Sequence, residues 1–291
     1  MPELSGYTAK TYRYLRLAMV TLLLLLAVAV LIERSNTDPG CFQTSISAYY
    51  YTPASAIFVG TLIAVGVCMV VLKGSTEWED ILLNVGGMLA PVVALVPTPH
   101  KGSCFSVAGA QPDIEANVAN NIPAIFIAGV VGLVLTAGIG RWYRSQGGGA
   151  LKREHAIGLA ASAVVMAGGF AWFLTARDSF IDKAHYGAAF PLFFCIIGVV
   201  LINARGYGVQ HTGSTDPGKV FRNRYTAIAV LMVALPLLLW ALAKAVDSNH
   251  LVLWVEAVLL VLFAAFWVIQ TKELWTEGVR SIPVEAPATA A

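Results

Sequence analysis

The residues of this chain whose types suit chemistry lie mainly at the ends of long apolar segments. Glu256 is the clearest, because it lies about six residues inside the last apolar segment, where an unpaired carboxylate is costly. Lys244 precedes it across a short turn and could form an ion pair with it. The alternatives are therefore a structural Lys244–Glu256 ion pair and a carboxylate that lines a cavity and responds to protons or cations.

His185 is the second candidate and follows Asp182 in a polar run before an apolar segment. A histidine beside a carboxylate can move a proton or bind a metal, whereas a single boundary histidine can equally be a hydrogen-bonded interfacial residue. The remaining histidines are His100, His155, His211 and His250. No two histidines have the spacing that places two metal ligands on one helical face, so we expect neither a metal site nor a cofactor.

Hydroxyl groups and aromatic rings are concentrated in residues 44–53, which include Tyr49 and Tyr50. Such a patch can bind a sugar, a lipid head group or a small amine by stacking and hydrogen bonding. The same residues could instead anchor the chain at a membrane interface and cap the following helix. The candidate ligand-binding residues are thus Tyr49, Tyr50, Asp182, His185 and Glu256.

The sequence contains no phosphate-binding glycine loop, no nucleophile elbow and no basic patch for nucleic acid. We therefore assign no catalytic residue and expect no nucleic-acid partner. Binding or transport is favoured over catalysis.

Eight long apolar segments position these residues. Apolar residues make up 57% of the 291 residues and charged residues 12%, against about 25% charged residues in soluble domains. A helix of about 20 apolar residues crosses a bilayer. The segments run approximately over 15–32, 54–72, 80–97, 122–140, 156–175, 185–204, 226–245 and 250–270. They predict an all-α bundle of eight transmembrane helices in a single domain, 1–281, followed by a disordered tail, 282–291.

Basic residues alternate between the connecting loops. With the amino terminus in the cytoplasm, the inner loops and ends hold fourteen of the 19 Lys and Arg residues. The outer loops hold the other five, Arg34, Lys101, Arg177, Lys183 and Lys244. Because cytoplasmic loops are rich in Lys and Arg, both termini are predicted to lie inside, in the cytoplasmic membrane of a bacterium.

Two of the four cysteines, Cys41 and Cys104, fall in predicted outer loops. The outer side is oxidising in most bacteria, so a disulfide between them is permitted there. The alternative is two unpaired loop cysteines. We favour the bond because a topology derived from Lys and Arg alone places both cysteines on one side.

The strings Ser45–Pro53, Phe58–Gly60, Trp78–Asp80 and Ala94–Thr98 resemble those of a group of uncharacterised bacterial multi-pass membrane proteins. This resemblance covers about the first 100 residues and implies a shared fold without an established activity. The layout is more remotely similar to the alkaline-ceramidase-like superfamily of membrane hydrolases, which use a serine, an aspartate and three histidines. Here Tyr51, not a histidine, follows Ser47 by four positions, and the last segment has no histidine pair, so no catalytic residue carries over.

The candidate ligand-binding residues lie near the predicted outer side of the membrane. We therefore expect an outward-facing polar cavity that binds or transports a small molecule or a lipid. The alternatives are an intramembrane lipid hydrolase and a non-catalytic subunit of a membrane complex.

Overall fold

A computed structural model describes residues 2–37, 41–98, 113–147, 153–246 and 249–280. Within these ranges all regular structure is helical, with no β-strand. The α-helices are α1 (Pro2–Asn36), α2 (Ser55–Val71), α3 (Glu77–Leu95), α4 (Ile114–Ser145), α5 (Arg153–Thr175), α6 (Arg177–Thr212), α7 (Pro217–Val220), α8 (Arg224–Val246) and α9 (Leu251–Glu273). A short 3₁₀ helix, η1 (Ser47–Tyr51), precedes α2. The prediction of an all-α fold is confirmed.

Among the described residues, seven helices are long and apolar enough to cross a membrane: α1, α3, α4, α5, α6, α8 and α9. The eighth apolar helix, α2, has 17 residues and is shorter. Each predicted segment falls on one of these eight helices. Large apolar side chains cover their outer surface; Phe194 is 70% exposed and Val261 is 67% exposed. These features support a multi-pass membrane protein, because lipid would cover that surface.

Helix α6 extends well beyond the predicted segment at both ends. The predicted sixth segment begins at His185, whereas α6 begins at Arg177 and ends at Thr212. A single residue, Ala176, separates α5 from α6. His185 therefore lies about two turns inside α6, at a depth where it faces neighbouring helices.

The eight long helices run in alternate directions, so their termini gather at two ends. At one end η1 contacts the start of α9 through Ile46 and Glu256, and the end of α3 through Ser47 and Thr98. We call it the η1 end. The predicted tail, 282–291, lies outside the described residues.

At the opposite end, the start of α3 meets α6 through Glu79 and Asn203. The start of α1 contacts the chain after α9, where Arg13 donates a hydrogen bond to the Trp275 carbonyl. We call this the Glu79 end. Thr76 starts α3 there by accepting a hydrogen bond of 3.1 Å from the Glu79 N–H, as a capping residue does.

Helix α3 lies in the middle of the bundle and packs against α2, α4, α5 and α6. Its approach to α2 depends on glycine, because a Cβ atom added at Gly87 would lie 2.5 Å from the Gly66 carbonyl oxygen. Small residues allow membrane helices to pack closely in lipid. The largest apolar cluster lies between α1, α2, α3, α6, α8 and α9.

Candidate functional site

A cavity of about 80 Å³ lies between α1, α2, α3, α6 and α9, under η1. Most of its wall is apolar, including Leu26, Phe58, Val65, Val93, Leu192 and Phe263. Its polar lining comes from Ser47, Thr61, His185 and Glu256. The cavity is therefore apolar with a few polar groups, and not the polar hollow that the sequence predicted.

Glu256 lies in the second turn of α9, and its carboxylate faces the start of η1. Its Oε2 accepts a hydrogen bond of 2.6 Å from the Ile46 N–H, and the Ser47 N–H also faces the carboxylate. The first N–H groups of a helix have no intrahelical partner and bind anions readily. Glu256 thus holds η1 over the cavity while still lining it.

His185 is 1% exposed and lies against the end of α3. Its Nδ1 is 3.1 Å from the Val93 carbonyl oxygen and 2.9 Å from that of Val96. The last carbonyls of a helix lack intrahelical partners, and a carbonyl only accepts hydrogen bonds. Nδ1 therefore carries a hydrogen, and in the neutral imidazole Nε2 is an acceptor. No described residue donates to Nε2, and the His185 ring lines the cavity.

A buried cluster of hydroxyl groups fastens η1 to the end of α3. Ser47 Oγ is 2.7 Å from Thr98 Oγ1 and 3.0 Å from Ser45 Oγ. The Tyr51 hydroxyl donates to the Thr98 carbonyl at 3.0 Å, and burial raises the pKa of Tyr51 to about 12. The phenol therefore stays protonated at neutral pH. The Ser47 hydroxyl is thus hydrogen-bonded to the hydroxyls of Thr98 and Ser45, which hold η1 against the end of α3.

The structure brings together two of the five predicted ligand-binding residues, His185 and Glu256. Tyr49 is 1% exposed and packs with Ala54 and Leu253, away from the cavity wall. Tyr50 also lies outside that wall; its hydroxyl accepts a hydrogen bond of 3.2 Å from Asn117.

The fifth predicted residue, Asp182, is exposed on α6 and does not line the cavity. The Lys244–Glu256 ion pair is not formed between these two described residues. Lys244 Nζ instead lies 4.1 Å from the centroid of the Trp240 ring, within the same helix. The backbone N–H groups of Ile46 and Ser47 already bond the Glu256 carboxylate, so it does not require a lysine as a partner.

The predicted disulfide involves a residue outside the described ranges, Cys104. Cys68 and Cys195 carry free thiols. The Cys41–Cys104 bond therefore stays a prediction.

A buried polar network lies at the Glu79 end and was not predicted from the sequence. Glu79 is 2% exposed and accepts a hydrogen bond of 2.6 Å from Asn203, which in turn accepts one of 2.8 Å from Gln270. The guanidinium groups of Arg16 and Arg280 also interact with the Glu79 carboxylate. Glu79 lies with Glu77 and Asp80 in the first turn of α3, where acidic residues are common, so its position in the sequence does not indicate burial.

In the part of the chain that the structure describes, we find no group of three or more His, Cys, Asp or Glu side chains that could hold a metal ion.

Comparison with family models, curated proteins and solved structures finds no match to this chain. The resemblance to the group of bacterial membrane proteins stays a prediction.

Proposed function

We propose that this protein is an integral membrane protein that binds a small amphiphile in the cavity under η1. The observation that carries the proposal is the pairing of an apolar wall with two hydrogen-bond acceptors, His185 Nε2 and the Glu256 carboxylate. The apolar body of the ligand would lie between α2, α6 and α9. Its head group would lie near η1.

Acceptors on the protein require donors on the ligand. A hydroxyl or ammonium head group supplies such donors, whereas a carboxylate supplies none and is repelled by Glu256. The predicted ligand is therefore a short aliphatic alcohol or amine, or the corresponding end of a lipid.

The size of the cavity limits what enters without rearrangement. An engineered apolar cavity of about 150 Å³ binds benzene, and the cavity here has about 80 Å³. A few carbon atoms fit below η1 as it stands, and a longer chain requires that η1 move. Because Glu256 holds η1 and also faces the cavity, ligand entry and release of η1 are coupled in this proposal.

We further propose that all eight long helices cross the membrane, with the Glu79 end in the cytoplasm. The alternation of direction supports α2 as a span, since α2 packs between α1 and α3 in the bundle. The fourteen basic residues assigned to inner loops and ends support the orientation.

Hydrolysis is less well supported than binding. Ser47 and His185 line the same cavity, but the Ser47 hydroxyl bonds Thr98. A hydrolase needs its serine hydroxyl in contact with a base.

The test is binding of three short probes that share a terminal trifluoromethyl group and differ in head group: an alcohol, an amine and a carboxylate. Fluorine NMR of the protein in nanodiscs reports binding, with empty nanodiscs correcting for partition into lipid. Ala189→Leu fills the cavity from α6, and Val261→Leu on the exposed face of α9 is its control. We expect the alcohol and amine, but not the carboxylate, to bind the wild type and Val261→Leu, and none to bind Ala189→Leu. Equal binding of all three probes, or binding unchanged by Ala189→Leu, would refute the proposal.

A further inference from the structure

A second and larger cavity lies at the Glu79 end, between α3, α4 and α5. The buried residues of helix α4, Val118, Ile122 and Phe126, lie near the η1 end. From Ile127 onward most of its residues are exposed, so α4 diverges from its neighbours. The resulting cavity has about 470 Å³, within the range of about 300–1,000 Å³ that is usual for small-molecule sites.

Negative charge dominates one side of this cavity. Glu77, Asp80 and Glu154 line it together with Lys73 and His155. Three carboxylates and one lysine give a formal charge of −2 with His155 neutral and −1 with His155 protonated. The balance favours a cationic ligand.

Two of the carboxylates already have cationic partners. Lys73 forms an ion pair with Asp80, and His155 Nδ1 lies 3.3 Å from Glu77 Oε2. Glu154 forms no ion pair or hydrogen bond with any described residue. Its carboxylate is therefore available to a ligand.

A serine in the cavity wall supports a binding role independently of the charges. Ser162 is 6% exposed, lines the cavity, and makes no side-chain hydrogen bond with any described residue. A hydroxyl donates one hydrogen bond and accepts others, so the Ser162 hydroxyl is a candidate contact for a polar ligand atom. Met88, Leu133 and Leu159 supply apolar wall beside it.

We propose that this cavity binds a small organic cation with an apolar body. Its ammonium group pairs with Glu154, its body lies against Leu133 and Leu159, and a polar atom bonds Ser162. The ammonium comes either from a free amine or from the head group of a lipid such as phosphatidylethanolamine, which could enter where α4 diverges.

Glycine offers a way to close the cavity without damaging the bundle. Gly132 lines it, and an added Cβ there meets no atom within 4 Å. Gly132→Leu therefore fills the cavity without a clash at its Cβ. Gly138→Leu is the matched control, because Gly138 lies on the same helix, is equally open, and is not part of the wall.

The experiment is equilibrium dialysis of radiolabelled phenethylamine, with 2-phenylethanol as the neutral analogue, against the full chain in uncharged maltoside micelles. Glu154→Gln should weaken phenethylamine binding about tenfold and leave 2-phenylethanol unchanged, because it removes a charge and keeps the shape. Glu115→Gln, at the exposed start of α4, should behave as the wild type. Gly132→Leu should abolish binding of both probes, and Gly138→Leu should not.

Thermal melting and circular dichroism of each variant establish that it is folded. Ser162→Ala is a second variant for this test. It should weaken binding of 2-phenylethanol, because it removes the serine hydroxyl that would hydrogen-bond the hydroxyl of the probe. If added phosphatidylethanolamine displaces phenethylamine, the natural ligand is the lipid head group. If it does not displace phenethylamine, the natural ligand is a free amine. Unchanged binding in Gly132→Leu, or equal losses of both probes in Glu154→Gln, would overturn the proposal.

Discussion

The carboxylate of Glu256 in α9 accepts a hydrogen bond of 2.6 Å from the backbone N–H of Ile46, 210 positions earlier in the chain. This contact ties the segment before α2 to the last long helix. Because the same carboxylate lines the cavity, one side chain links the covering segment to the proposed ligand site.

Glu256→Ala should loosen η1, because it leaves the Ile46 and Ser47 N–H groups without an acceptor. A hydrogen bond to a charged group contributes about 1.5–3 kcal/mol, so amide exchange in residues 44–51 should quicken roughly tenfold or more. Glu256→Gln keeps an acceptor and should have a smaller effect. Hydrogen–deuterium exchange by mass spectrometry measures both, and unaltered exchange in Glu256→Ala would show that the contact does not hold η1.

Glu79→Ala should strongly destabilise the bundle. It removes the acceptor of Asn203 and leaves the buried guanidinium of Arg16 without its counter-charge, a change that typically costs about 3–5 kcal/mol. Glu77→Ala, two residues away, breaks part-exposed ion pairs with Lys73 and His155 and should cost about 1 kcal/mol or less. Unfolding in mixed micelles should rank the variants in that order, and similar losses would argue against a stabilising network at the Glu79 end.

Gly278→Ala should destabilise the chain after α9. Gly278 has a φ of 76°, and a Cβ atom there would lie 2.8 Å from Ala9 Cα in α1. Gly213 has a φ of 61° with open space around it, so Gly213→Ala carries the backbone strain alone, about 1–2 kcal/mol. Melting temperatures should fall more for Gly278→Ala, and an equal fall would mean that the close approach to α1 is unimportant.

The Cys41–Cys104 disulfide remains a prediction with a direct chemical test. Peptide mapping by mass spectrometry without reductant should recover the two cysteines in one cross-linked fragment. Replacing both by serine should lower the free energy of unfolding by on the order of 4 kcal/mol, because the bond closes a loop of over 60 residues. Recovery of two free thiols from freshly oxidised membranes would contradict the bond.

Helix positions were predictable because hydropathy depends on local sequence. Each predicted apolar segment lies on one helix, and the half-buried position of Glu256 follows from its place in such a segment. The start of α6 was misplaced because the polar run from Arg177 to His185 is helical despite its composition.

The site was only partly predictable, because proximity along a sequence does not fix the direction of a side chain. Tyr49 and Tyr50 lie in the predicted patch but turn into packing clusters beside the cavity. Glu79 and Asn203 are 124 positions apart, and their contact depends on how α3 packs against α6. The divergence of α4, which forms the second cavity, likewise has no local sequence signal.

The most direct test of the binding proposal is photolabelling with a short aliphatic alcohol that carries a diazirine, followed by mass spectrometry of the labelled peptides. The proposal predicts labels on cavity residues such as Leu192 and Phe263, and their loss in Ala189→Leu. The proposal would be contradicted if labels were confined to exposed residues such as Phe194 and Val261 and had equal yield in the wild type and in Ala189→Leu.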